Sequence, residues 1–162
     1  MKNGSLSFYD QTYHEELLAF YLPLEQEQFT ALPVDALRKC NEDPGRYPIV
    51  ITDISGKAVG FFVLHEGENI RDYTSNTNAM VIRALSINQV EQGKGYAKEA
   101  MLQLPEFVSK NFPEINELIL SVNFKNETAK KVYEKAGFED RGQIKHGPAG
   151  PQYVMHYDIK KQ

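Results

Sequence analysis

The chain is short of cysteine, of clustered histidine, of long apolar runs and of basic residues, and each shortage excludes something. Cys40 is the single cysteine, so no intrachain disulfide can form and a reducing compartment is compatible. His14, His65, His146 and His156 are scattered without ligand spacing, so no metal is expected. No apolar run approaches the roughly 20 residues that cross a bilayer, and the first seven residues lack the apolar core of a leader peptide. A cytoplasmic protein without a membrane partner is expected. A net charge of −4 with pI near 5.6 argues against nucleic acid as a partner, because a phosphate backbone is held by clustered Lys and Arg, and it leaves cationic partners open. No repeat or low-complexity tract breaks the 162 residues, and one domain spanning 1–162 accounts for them.

What the chain does have is a glycine loop between an apolar strand and a helix, in residues 84–98. Gly93 and Gly95 permit a sharp turn and close approach of the backbone to a ligand. The helix opening near Tyr96 offers unpaired N–H groups and the positive end of its dipole, which suits a pyrophosphate. A P-loop would need Ser or Thr after Gly-Lys, where Gly95 stands, and a dinucleotide fingerprint would need a third glycine, where Lys98 stands. Neither pattern is met.

Periodicity and breakers order the rest. Residues 5–10 read as a strand, 11–21 as a helix ended by Pro23, 25–30 as a polar connection, and 33–42 as a second helix with Pro33 in its first turn. Two β-rich runs, 49–52 and 58–65, flank a Ser55-Gly56 turn, and 71–78 reads as a mobile polar loop. A strand over 79–88 feeds the glycine loop. A helix from 96 to about 110 follows, which Pro105 should kink. Then come a strand at 117–123, a helix at 127–136 capped by Asn126, and strands near 139–145 and 152–159. Gly137 and Phe138 read as the C-cap of that last helix. The order β-α-α-β-β-β-α-β-α-β-β gives an α+β fold, a mixed and mostly antiparallel sheet of about seven strands with helices on both faces.

Two blocks carry a family resemblance. Gln92-Gly93-Lys94-Gly95-Tyr96-Ala97 resembles the Q/R-x-x-G-x-G/A loop of the GNAT (Gcn5-related) N-acetyltransferases, and residues 126–138 resemble their N-x-x-A-x-x-x-Y-x-x-x-G-F signature through Asn126, Ala129, Tyr133, Gly137 and Phe138. The resemblance covers roughly 79–159 and implies the same element order, with acetyl-CoA as acetyl donor. It implies that strands four and five splay to admit the pantetheine arm and that Leu85, Ser86 and Ile87 pair with it through their main chain. The N–H groups of Gln92, Gly93, Lys94, Gly95, Tyr96 and Ala97 would hold the pyrophosphate, and Asn126 would cap its helix and contact the same molecule. Lys94, Lys98, Lys125, Lys130, Lys131 and Lys135 gather around the two blocks, either as solvated faces or as an attraction for an anionic nucleotide.

Tyr133 is the expected catalytic residue. The implied reaction is direct attack of an amine on a thioester through an oxyanion that the Ile87 N–H stabilises. A phenol of pKa about 10 and a thiol of about 8.5 make proton transfer to the departing sulfur nearly balanced, so Tyr133 would be its general acid. Glu25, Glu27 and Glu66 are candidate bases. Arg83 either meets an anion or points outward, and Cys40 reads as a packed residue. Tyr21 and Phe29 join those glutamates in a region that, with 71–78 and 146–151, would select the acceptor. The expected enzyme is an N-acetyltransferase acting on a small primary amine, polyamine-like or other, in a ternary complex. Alternatives are a protein or peptide acetyltransferase and a non-catalytic coenzyme A sensor. Edge strands at the C-terminal end allow a homodimer.

Overall fold

The computed structural model describes residues 4–27 and 29–159. The extreme ends of the expected 1–162 domain, residues 1–3 and 160–162, lie outside the described residues. Strands β1 (Gly4–Phe8), β2 (Arg46–Asp53), β3 (Ala58–His65), β4 (Ala79–Ile87), β5 (Glu117–Asn123), β6 (Glu139–Gly147) and β7 (Gly150–Asp158) form one sheet. Its order is β1-β2-β3-β4-β5-β7-β6, and only the β4–β5 pair is parallel.

Helices α4 (Tyr96–Asn111) and α5 (Glu127–Lys135) cover one face, and α1 (His14–Leu18) with α3 (Pro33–Glu42) covers the other. Strand alternation sorts the side chains. Phe62, Leu64, Met80 and Ile82 meet Met101 and Leu104 of α4, while Phe61 and Val63 meet Leu17 and Ala36 of α1 and α3. Every residue of β3 is therefore buried. Each large side chain so placed contributes about 1.5–3 kcal/mol.

Several expectations shift. The first helix is only a 3-10 turn (Gln11–Tyr13) and α1, because Tyr21 is drawn to the loop after β4: its N–H donates to Asn88 Oδ1 and its carbonyl accepts from Gln89, both at 3.0 Å. The polar connection contains one helical turn, α2 (Leu24–Glu27). The 71–78 loop is pinned rather than mobile, since Arg71 donates to the carbonyls of Gly67, Thr74 and Asn76, and Tyr73 is buried. Strands β6 and β7 run to Gly147 and Gly150, leaving a two-residue turn where a six-residue connection was expected. Pro105 lies within an unbroken α4.

Candidate active site

The parallel ladder is short. Ala79, Met80 and Val81 of β4 pair with Glu117, Leu118 and Ile119 of β5, and the two strands share no partners beyond. Their outer halves splay, with Ile82 to Ile87 on one side of the gap and Leu120 to Asn123 on the other. A bulge shapes the β4 side: Val63 pairs with Arg83 and Phe61 with Ser86, which leaves Ala84 and Leu85 unmatched, and Ala84 takes a left-handed φ of 57°. No residue type in the sequence signals that bulge.

Register decides which main-chain groups are available. Asn88 N–H donates to Val59 O at 3.0 Å, so alternation turns the main chain of Ser86 toward β3 and that of Ile87 toward the gap. Ser86 therefore cannot offer its main chain to a ligand there, contrary to the expectation for it. The carbonyl of Ile87 accepts from Gln92 Nε2 at 2.9 Å, and that of Leu85 accepts from Thr30 Oγ1 at 3.0 Å. The Ile87 N–H is left facing the opening. Side chains of Leu85 and Ile87 pack on the main core, and Gly60 is needed for this, since a Cβ there would stand 2.7 Å from Ile87 Cδ1.

The glycine loop has the expected form with one correction. Gly93 and Gly95 have φ of 81° and 87°, and nothing lies within 4 Å of where a Cβ would point, so open space faces the loop. Gly95 caps α4 without a side-chain bond, and the first donor satisfied within the helix is Glu99 N–H, bonded to Gly95 O at 3.0 Å. The N–H groups of Tyr96, Ala97 and Lys98 are thus free of helical partners. Gln92 differs: its N–H donates to Gln89 O at 3.1 Å, and its side chain exchanges hydrogen bonds with Gln26. It braces α2 against β4 instead of joining the donor set. Lys94 pairs with Glu91 at 2.8 Å, and the Tyr96 ring packs at Gly4.

Asn126 caps α5, its Oδ1 accepting from Ala129 N–H at 3.3 Å. The helix ends at Gly137 with φ of 100°, and Phe138 N–H reaches back to Tyr133 O at 3.0 Å. Tyr133 packs on the same core as Leu85 and Ile87, with its ring 6.3 Å from that of Phe138. Burial pushes its phenol up to about 12. The near balance with a thiol of about 8.5 is therefore lost unless the sulfur is equally desolvated, because burial raises both groups. The phenol remains a proton carrier at every physiological pH.

Other candidates fall away. Glu66 follows His65, at the end of β3 remote from the Gly60–Ile87 pair, and so stands far from the glycine loop. Lys130 turns to Asp140 at 3.4 Å and the Tyr153 ring at 4.0 Å. Cys40 packs beside the α1–α3 core, where burial pushes its thiol up. Arg83 points inward, which the sequence left open: its Nε donates to His65 Nδ1 at 2.8 Å, and His65 Nε2 meets Asp43 Oδ2 at 2.8 Å. An arginine can only donate, so this pairing fixes His65 as neutral with its proton on Nε2. Desolvation, then the neighbouring arginines, hold its pKa down. The Oγ of Ser86 is buried and has no hydrogen-bond partner among the described residues.

Comparison with known proteins converges on this geometry. An uncharacterized N-acetyltransferase, YbbJ of Bacillus subtilis (strain 168), is 44% identical over 154 residues, 94% of this chain and 96% of its own length. The structure of AAC(6')-Ib in complex with paromomycin and acetyl-CoA superposes with a TM-score of 0.77 at 20% identity, covering 97% of this chain and 94% of that one. A spermidine N-acetyltransferase from Vibrio cholerae, in complex with CoA and spermine, gives 0.64 at 16% identity, covering 97% and 96%. Residues 9–138, which hold the splayed strands, the left-handed glycine loop and the capped α5, match the acetyltransferase (GNAT) family, and the chain belongs to it.

Proposed function

We propose that the protein is an N-acetyltransferase that moves an acetyl group from acetyl-CoA to the primary amine of a small molecule, by direct transfer in a ternary complex. The observation that carries this reading is the splayed β4–β5 gap ending at a glycine loop whose Cβ side is open and which leads into a helix start where the N–H groups of Tyr96, Ala97 and Lys98 have no helical partner. Unpaired donors at a helix start favour a diphosphate, and the gap offers a strand edge to an extended amide-bearing arm. When bound, acetyl-CoA supplies an acyl group activated as a thioester.

The chain's own groups supply the rest. The Ile87 N–H faces the gap, where it stabilises negative charge developing on an acyl oxygen. Tyr133, kept un-ionised by burial, holds a proton for the leaving sulfur. Glu25 or Glu27 on α2 can take the proton that an alkylammonium must lose. Direct transfer fits the want of an activated nucleophile: the Ser86 hydroxyl touches no base among the described residues, and Cys40 sits on α3 with a raised pKa. A small acceptor fits the way residues 21–30 are fastened over β4 through Tyr21, Gln26 and Thr30, which narrows the approach. We place the enzyme in the cytoplasm, where a lone thiol stays reduced. A homodimer through the C-terminal edge would pair β6, whose Glu139, Asp140, Arg141 and Lys145 work against edge-to-edge contact.

Steady-state release of coenzyme A across an amine panel tests the reading, with acetyl-CoA titrated calorimetrically in parallel. Heat on titration with turnover of at least one small amine is expected. Acetyl-CoA binding with turnover only on a peptide would move the acceptor to protein, and binding without any turnover would make the domain a sensor.

A further inference from the structure

We propose that the acceptor side of the gap contains an anion subsite, built from Arg83, Tyr73 and Lys145, so that the amine this enzyme acetylates also carries a carboxylate or phosphate. The proposal rests on the N-acetyltransferase reading and narrows its acceptor.

Arg83 lies two residues beyond Val81, where pairing with β5 ceases, and just before the bulge at Ala84. Alternation puts its side chain on the face of Val81, Ile119 and Tyr73. The opposite face is filled by the α4 core, so an acceptor reaches the gap from the Arg83 side. Arg83 is held from behind: His65, fully buried, receives its Nε–H and is itself aimed by Asp43, which also meets Asn69, the Gly45 N–H and Arg46. Its Nη1 donates to the Tyr73 hydroxyl at 3.4 Å, and its guanidinium carbon stands 5.1 Å from that ring's centre. The Tyr73 hydroxyl, accepting from Arg83, keeps its own proton for another acceptor. Lys145 Nζ lies 4.6 Å from the centre of the same ring.

Charge at this point is not balanced. Lys145 is met by Asp72, but Arg83 has no carboxylate within ion-pair distance among the described residues, and neutral His65 separates it from Asp43. Arg46, whose own ion-pair contact is Asp43 at 3.8 Å, adds a further cation nearby. A half-buried guanidinium beside a hydroxyl donor, fixed in place and with no carboxylate in ion-pair contact, although Asp72 feels its charge, suits a bidentate anion. The same surplus repels a polycation, so the acceptor departs in class from the paromomycin and spermine held by the structural neighbours. Arg83 precedes Ile87 by four residues, on the order of 13 Å of strand, so the anion is remote from the reacting nitrogen.

Matched acceptors test this: 8-aminooctanoate and an aminoalkyl phosphate of similar length against octylamine, with spermidine as the polycation. At least a tenfold preference in kcat/KM for one of the anionic amines is expected. It should collapse toward unity in Arg83→Gln and return in part in Arg83→Lys, with acetyl-CoA affinity held. The better of the two anionic amines distinguishes carboxylate from phosphate. No preference, preference for spermidine, or a preference that survives Arg83→Gln would overturn the proposal. Calorimetric titration of 8-aminooctanoate and the aminoalkyl phosphate into folded wild type and Arg83→Gln, each saturated with coenzyme A, reads the subsite without turnover. Arg83-dependent heat supports it even if no amine is acetylated, and its absence for both ligands overturns it. Want of any heat with acetyl-CoA would instead sink the acetyltransferase reading.

Discussion

On the α4 side of the gap, the groups we assign to ligand binding are main-chain amides: Ile87 in β4, the glycine loop, and the first turn of α4. On the α1–α3 side they are side chains, Arg83, Tyr73 and Lys145, each placed by residues far away in sequence. A main-chain site depends on φ angles and tolerates most side chains, so it suits a common donor molecule. A side-chain site depends on identity and charge, and it can select among acceptors. The bulge at Ala84 lies between Arg83 and Ile87, inside the open half of β4 that begins after Val81.

The comparison can be broken or sharpened by substitution. Tyr133→Phe, which removes a proton carrier and little else, should lower kcat on the order of 10²-fold with acetyl-CoA affinity nearly constant. Wild-type turnover would take Tyr133 out of the mechanism. Gly95→Val places a β-branched residue at φ of 87°, in open space but with backbone strain. That strain, about 1–2 kcal/mol, should weaken acetyl-CoA binding roughly tenfold in calorimetry. Unchanged affinity would show that the loop is only a turn. Asn126→Ala removes the α5 cap and should destabilise by about 1 kcal/mol, read as a fall in Tm of a few degrees.

The smallest effect concerns the brace behind Arg83. Hydrogen bonds from Asn69, the Gly45 N–H and His65 hold Asp43 at about 2, below its ordinary 3.8. A depressed carboxyl stabilises the fold above the ordinary value and loses that contribution as pH falls through the folded one. Stability should therefore decline between about pH 4 and 2, and Asp43→Asn should flatten that part of the acid limb. An identical limb in the variant would remove Asp43 from the brace.

The sequence was legible where function is local. The Gly93 and Gly95 loop, the Asn126 cap and the Gly137-Phe138 stop are each written within a few residues, because turn and cap chemistry depends on immediate neighbours. The element order followed from periodicity and breakers. Less was visible at residues 11–30, whose path is set by hydrogen bonds to Leu85, Asn88, Gln89 and Gln92, all more than fifty residues away. Tyr73 was hidden in a stretch that reads as a polar loop, and Arg83 had no visible partner until β3 brought His65 beside it.

Composition and the two short motifs by themselves determined an α+β fold of the GNAT family with a glycine turn opening a helix, since φ preference, helix capping and apolar period are properties of adjacent residues. Only the tertiary structure decided where β4 leaves β5, which way Ser86 and Ile87 turn their main chain, and what surrounds Arg83. Those depend on register and on a one-residue bulge, and a shift of one residue reverses every face of a strand.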